Sequence, residues 1–236
     1  MKYNKMVEGR FIERPNRFIA MVDVNGVIEK CHVKNTGRCR ELLVPDARVF
    51  LEESGNPDRK TRYSLIAVYK GDMLVNMDSQ APNAVAAEWV AAGNLFSPVT
   101  KVKREVKFGN SRFDIYAESN ERKCFIEVKG VTLEHDGVAS FPDAPTERGV
   151  KHIYELCEAV KEGYEAYIIY VIQMKGMHLF VPNDVTHKAL GDALRYAVEH
   201  GVHVVAVDCK VTQDSLEADE LVDIKLQNQR ISHWWC

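Results

Sequence analysis

The chain has 236 residues, 46% of them apolar and 28% charged, with a formal net charge of −3. That length allows one large domain or two small ones and a sizeable core. The near-neutral balance does not advertise a nucleic-acid binder and is equally compatible with a small-molecule enzyme.

The opening residues carry no apolar leader, and the longest apolar run, Ala166 to Ile172, is far short of the ~20 residues a membrane helix needs. The expectation is a cytoplasmic protein with no membrane partner. Six cysteines, at 31, 39, 124, 157, 209 and 236, form no C-x-x-C pair and no Cys/His ligand spacing, so buried thiols are expected rather than a zinc site or disulfides. Charge is unevenly placed: residues 1–82 carry a net of +3 and the remainder a net of −6. Within the remainder, Lys101 to Arg112 holds five basic residues against one acid. Local basic patches attract phosphate despite an acidic total.

Residues 1–80 read as short strands. Val7–Ile12 and Arg17–Val24 flank a Pro15-Asn16 turn signal, and Asn25-Gly26 is a strong hairpin signal before Val27–Val33. Arg48–Glu52, Tyr63–Tyr69 and Met73–Met77 follow, which predicts a small closed barrel of OB-like type, a fold that often binds single strands. Asn35-Thr36-Gly37-Arg38 reads as a capped turn before a short helix at Cys39–Leu43; the alternative is a phosphate held by its amides and Arg38. Arg59-Lys60-Thr61-Arg62 is either a solvated loop or a phosphate track.

Ala81-Pro82-Asn83 marks a boundary, giving an N-terminal domain over 1–82 and a second over 83–236. Asn83 is expected to cap a helix over Ala84–Ala92. Helices and strands then alternate, which predicts an α/β sandwich. Its centre is Ser111 to Lys129, two strands joined by a charged turn. Side chains two apart on a strand share a face, so Glu127 and Lys129 point the same way, and a hairpin brings Asp114 beside them. Asp114, twelve intervening residues and Glu127-Val128-Lys129 form the spacing of the PD-(D/E)XK nucleases. Two carboxylates suit Mg²⁺ or Mn²⁺, and Lys129 can serve an attacking water or developing phosphate charge. The alternative is an ordinary ion-paired strand surface, since E-x-K recurs at Glu105-Val106-Lys107.

After Lys129, Thr146 is expected to cap a helix running to Lys161. Glu147 and Lys151 lie one turn apart on it, as do Arg148 and His152. A buried strand at Ala166–Gln173, a strand at His178–Val181, a helix after Pro182-Asn183-Asp184 and a strand at Val202–Val207 complete the pattern. His187 and His200 read as incidental. Beyond Lys210 the signal fades, and Trp234-Trp235-Cys236 is aromatic enough to pack on a surface or partner.

The segments R-P-N-R-F (14–18), H-V-K-N-T-G-R-C-R-E-L-L (32–43), R-K-T-R-Y (59–63), E-V-K-F-G-N-S-R-F-D (105–114), I-E-V-K-G-V-T-L (126–133) and F-P-D-A-P-T-E-R-G-V-K-H (141–152) resemble the sugar fermentation stimulation protein A family of bacteria and archaea. The resemblance implies an OB-like domain followed by a PD-(D/E)XK nuclease-like domain, with DNA, double- or single-stranded, as partner and a link to sugar utilisation. It places Asp114, Glu127 and the Val128 carbonyl as metal ligands for Mg²⁺ or Mn²⁺. Lys129, Glu147 and Lys151 join Asp114 and Glu127 as catalytic residues; Glu88 and Glu105 are weaker choices for a third carboxylate. Arg14, Arg17, Asn35, Arg38, Arg59, Lys60, Arg62, Arg112, Arg148 and His152 are expected to meet nucleic acid. The expected binding is largely sequence-nonspecific, and the alternative function is a non-catalytic DNA-binding regulator that retains the fold. Self-association stays open.

Overall fold

The computed structural model describes residues 1–35, 37–109, 111–226 and, as backbone, 229–231. Trp234, Trp235 and Cys236 lie outside the described residues. Strands β1 (Met6–Asn16), β2 (Ile19–Val24), β3 (Val27–Val33), β4 (Arg48–Glu53), β5 (Tyr63–Lys70) and β6 (Met73–Asn76) come first. They pair in the order β3-β2-β1-β4-β5-β6, and a parallel β3–β5 pairing closes five of them into the OB barrel. Asn25 and Gly26 both take positive φ, the geometry that lets the β2–β3 hairpin follow the strand twist. Strand β1 runs through Pro15-Asn16, so the turn falls at Arg17-Phe18; Pro is tolerated there because the ladder is already irregular, with register shifts beyond Phe11. Cys39–Leu43 is a turn closed by Leu43 N–H to the Cys39 carbonyl, and Cys39 itself has φ 44°, which no helix accepts.

Helix α1 (Ala81–Ala91) starts earlier than expected. Pro82 occupies its first turn, where a missing N–H costs nothing. Asn83 is therefore inside the helix and caps nothing; the Asp78 side chain takes the Gln80 N–H instead. Strands β7 (Lys101–Phe108), β8 (Ser111–Glu118) and β9 (Lys123–Val131) follow, then the short β10 (Leu133–His135) and β11 (Val138–Phe141). Helix α2 (Glu147–Lys161) is capped by the Thr146 hydroxyl, which accepts from Gly149 N–H at 3.1 Å. The remaining elements are β12 (Glu165–Ile172), β13 (Leu179–Pro182), α3 (Asp184–Glu199), β14 (Val202–Val211), β15 (Leu216–Leu221), β16 (Asp223–Leu226) and β17 (Gln229–Ile231).

Two sheets result. A mixed one runs β15-β14-β12-β9-β8-β7, and a smaller one, absent from the sequence reading, runs β10-β11-β13-β16-β17. In the large sheet Ile126, Val128 and Ile169 pack toward α1, while Phe125, Val131 and Ile168 pack toward α2 and α3. Glu127 and Lys129 alternate onto the α2 face. The core on that face continues through Phe11, Leu42 and Leu65 of the barrel, so the two domains share apolar packing. Gln173, just past β12, pins the seam: its Nε2 donates to Asn76 Oδ1 and to the Asp78 carbonyl, each at 3.0 Å. No helix among the described residues is long and apolar enough to cross a membrane.

Candidate active site

The β8–β9 ladder sets Ile115 opposite Ile126, and continuing that register one step sets Asp114 opposite Glu127. The ladder opens there because Asp114 Oδ2 accepts the Val128 N–H at 2.8 Å, replacing a backbone bond with a charge-assisted one. Asp114 Oδ1 takes the Asn83 amide at 2.8 Å, so α1 braces the same carboxylate. Burial and then the nearby Glu127 charge push the Asp114 carboxyl above the ordinary aspartate range, only partly countered by the Val128 N–H, Lys129 and Asn83.

Glu127 is almost fully buried, at 2% exposure. Its Oε1 faces two nitrogens, His152 Nδ1 at 2.6 Å and Lys129 Nζ at 2.5 Å. Burial pushes its carboxyl up, but the His152 bond and the Lys129 ammonium outweigh that and hold it below the ordinary glutamate range. Its Oε2 is buried and has no hydrogen-bond partner among the described residues. A buried anionic oxygen left unpaired is costly, and such exceptions call for a specific cause. Asp114, Glu127 and a strand carbonyl are hard oxygen donors, a set suited to Mg²⁺, Mn²⁺ or Ca²⁺ and not to zinc.

His152 was expected at nucleic acid; it is buried and turned to Glu127, with Arg148 Nε 3.4 Å from its outer nitrogen. Arg148 itself is exposed at the mouth of the site. Glu147 and Lys151 are exposed at the start of α2 and hold other partners: Glu147 Oε1 lies 3.1 Å from His187 Nε2, and Lys151 Nζ 3.6 Å from Glu155. The His187 link to Glu147 spans two helices that sequence spacing could not relate. Neither weaker carboxylate joins the cluster. Glu88 pairs with the Met1 amino group at 2.8 Å, and Glu105, at φ 58°, is exposed and pairs with Arg112 at 3.6 Å.

The barrel cations fall into two groups. Arg14 is a clamp: its guanidinium donates to the carbonyls of Arg17, Asn35, Gly37 and Arg38. Arg59 is half-buried against Ser64 Oγ and His32. Arg17, Arg38, Lys60 and Arg62 are exposed, Arg62 in a pair with Glu53 and Arg17 over the Phe18 ring. Asn35 uses its side-chain oxygen to take the Gly37 N–H at 2.7 Å. Gly37 abuts the second domain, since a Cβ on it would stand 2.3 Å from Asp143 Oδ2.

A closed OB barrel ahead of an α/β domain, with Glu-x-Lys on its central sheet facing an Asp, defines a two-domain protein in which an OB barrel precedes a mixed-sheet α/β domain. Two family models agree in the same order: the SfsA N-terminal OB domain matches residues 12–77, and the sugar fermentation stimulation protein RE domain matches residues 80–215. The chain belongs to the sugar fermentation stimulation protein family. The sugar fermentation stimulation protein homolog of Clostridium beijerinckii is 58% identical over 96% of this chain and 100% of its own length. That of Ruminiclostridium cellulolyticum is 55% identical over 96% and 100%. The structure of Pyrococcus furiosus SfsA in complex with Ca²⁺ superposes with a TM-score of 0.86 at 24% identity, covering 95% of this chain and 98% of that one.

Proposed function

We propose that this protein binds DNA largely without sequence preference and carries a divalent-cation-dependent phosphodiesterase site in its α/β domain. The observation that carries this reading is Glu127 Oε2, a buried, unpartnered anionic oxygen beside a second carboxylate whose own pKa is raised. The residues fit Mg²⁺ or Mn²⁺, which Asp114, Glu127 and the Val128 carbonyl would hold. The Pyrococcus furiosus relative, solved in complex with Ca²⁺, supports divalent-cation binding by this fold. When bound, such an ion supplies a Lewis acid for a phosphoryl oxygen and acidifies a water.

The chain's own groups do the rest. His152 and Lys129 hold Glu127 ionised and fix its orientation. Lys129, only partly buried, presents an ammonium at the edge of the cluster, where it stabilises charge developing on the phosphate or aligns the attacking water. Arg148 at the mouth, with Glu147 and Lys151 beside it, meets the substrate strand. Arg17, Arg38, Lys60, Arg62 and Arg112 supply the exposed phosphate contacts, and Asn35 and Arg59 shape the barrel side of the track.

The test is cleavage of linear, nicked and single-stranded DNA with Mg²⁺ or Mn²⁺, comparing wild type with Lys129→Ala and Asp114→Asn. Cleavage by wild type alone is expected. Salt-sensitive binding with no cleavage by any of the three would leave a DNA-binding protein without turnover.

A further inference from the structure

The F-P-D-A-P stretch stands between the β9 site and α2, yet nothing in the proposed chemistry uses Asp143. It lines a small cavity of about 150 Å³ on the domain seam. The barrel contributes Asn35 and Gly37 to the walls, and the α/β domain contributes Thr132, Ser140, Asp143 and Gln173. That is half the lower end of the roughly 300–1,000 Å³ that drug-sized ligands occupy, so it suits one small ring system.

The walls are polar and only partly self-satisfied. The Asp143 carboxylate takes no hydrogen bond or ion pair from a described residue, and neither does the Ser140 hydroxyl. Gln173 spends its amide nitrogen on Asn76 and Asp78, which fixes that wall in place. Arg14 fixes the opposite wall by holding the 35, 37 and 38 carbonyls. Gly37 lets the Asp143 carboxylate approach closely, since a Cβ there would push Asp143 Oδ2 aside. The floor is Gly130, three residues past Glu127 on β9, which is about 10 Å at ~3.3 Å per residue. Exposed Arg38 stands at the rim, next to Gly37.

We propose that this cavity receives one unstacked base of the bound strand, and that Asp143 selects bases carrying an exocyclic amine. The proposal rests on the DNA-binding reading above. A carboxylate accepts from the N4 amine of cytosine but repels the O4 of thymine, and a polar pocket beside a phosphate site is how base-extruding proteins read a base edge. The site therefore adds a mild base preference to a phosphate grip that has none.

The experiment is fluorescence anisotropy with short single-stranded oligo-dC and oligo-dT in EDTA, where cleavage is off, at two salt concentrations. Wild type is expected to bind oligo-dC about tenfold more tightly than oligo-dT, since one good edge contact discriminates by ~1–3 kcal/mol. Asp143→Asn, whose amide can face either base, should remove the difference by raising oligo-dT affinity toward that of oligo-dC. Ser140→Ala, which alters the same wall without touching a charge, should narrow it. Equal affinities in wild type, or a preference that survives Asp143→Asn, would overturn the base pocket with DNA binding intact. Absence of salt-sensitive binding to either strand would overturn the DNA reading and the pocket together.

Discussion

His152 Nδ1 lies 2.6 Å from Glu127 Oε1, so one side chain from helix α2 fixes the carboxylate at the centre of the sheet. The same contact leaves Glu127 Oε2 as the free oxygen. Removing it should loosen Glu127 without removing a ligand. His152→Ala is expected to weaken Mn²⁺ binding by about 10–100-fold, the usual cost of losing a group that orients a metal ligand. His152→Asn, which can still donate to Glu127, should recover part of the loss. Titration calorimetry on the folded variants measures both; unchanged affinity in His152→Ala would make the histidine a packing residue only.

Asp114 predicts the opposite trade between stability and function. Its carboxyl is raised above its ordinary value, so the folded state binds protons more tightly than the unfolded one. The contribution to stability is therefore largest below the unfolded pKa and is lost as pH rises through the folded value. Asp114→Asn removes that loss and keeps an acceptor for the Val128 N–H, while the Asn83 amide can reverse to accept. Without divalent cations, the variant should melt about 2–4 °C above wild type at neutral pH, corresponding to roughly 1 kcal/mol at this chain length. The gap should close on acidification toward pH ~4. A variant that melts lower than wild type at neutral pH would show that the carboxylate is stabilising as it stands.

Arg14 and Lys60 should part company under substitution. Arg14 holds four carbonyls, so Arg14→Ala strands acceptors and should cost about 1–3 kcal/mol of stability. Lys60 is exposed. Lys60→Glu should leave the melting temperature unchanged, weaken DNA binding for all sequences, and reduce the salt slope of log K by about one. If Lys60→Glu binds with an unaltered slope, the 59–62 loop does not touch phosphate.

Much of this was legible in the sequence, for identifiable reasons. The Asp114–Glu127–Lys129 cluster follows from strand alternation and a short turn, both local. Thr146 was readable as a cap because the hydroxyl bonds only three residues on. The contacts that failed are long-range. Asn83 looked like a cap because the cap set includes Asn, but Pro82 moved the helix start and released its amide to Asp114, 31 residues away. The role of His152 depends on which face of α2 meets β9. The second sheet is made of strands of three to four residues, too short to show a period. The basic residues looked alike in sequence; only the fold separates the Arg14 clamp from the exposed cations.

The seam at Gln173 yields the last prediction. Its side chain is 1% exposed and bridges the barrel exit to the end of β12, while its backbone N–H meets the Val131 carbonyl and its carbonyl takes the Asn76 N–H. Together with apolar packing that runs from Leu65 to Ile168, this makes separate unfolding of the domains costly. Wild type should therefore melt in a single calorimetric transition. Gln173→Ala removes two buried hydrogen bonds, one of the two that each of the Asn76 and Asp78 oxygens accepts, at a cost of about 1–3 kcal/mol, and should lower that transition by several degrees. Because the backbone bonds and the shared core survive the substitution, the transition should stay single. Two resolved transitions in wild type would mean that the barrel and the α/β domain are independent units, and that the cavity between them has no fixed shape.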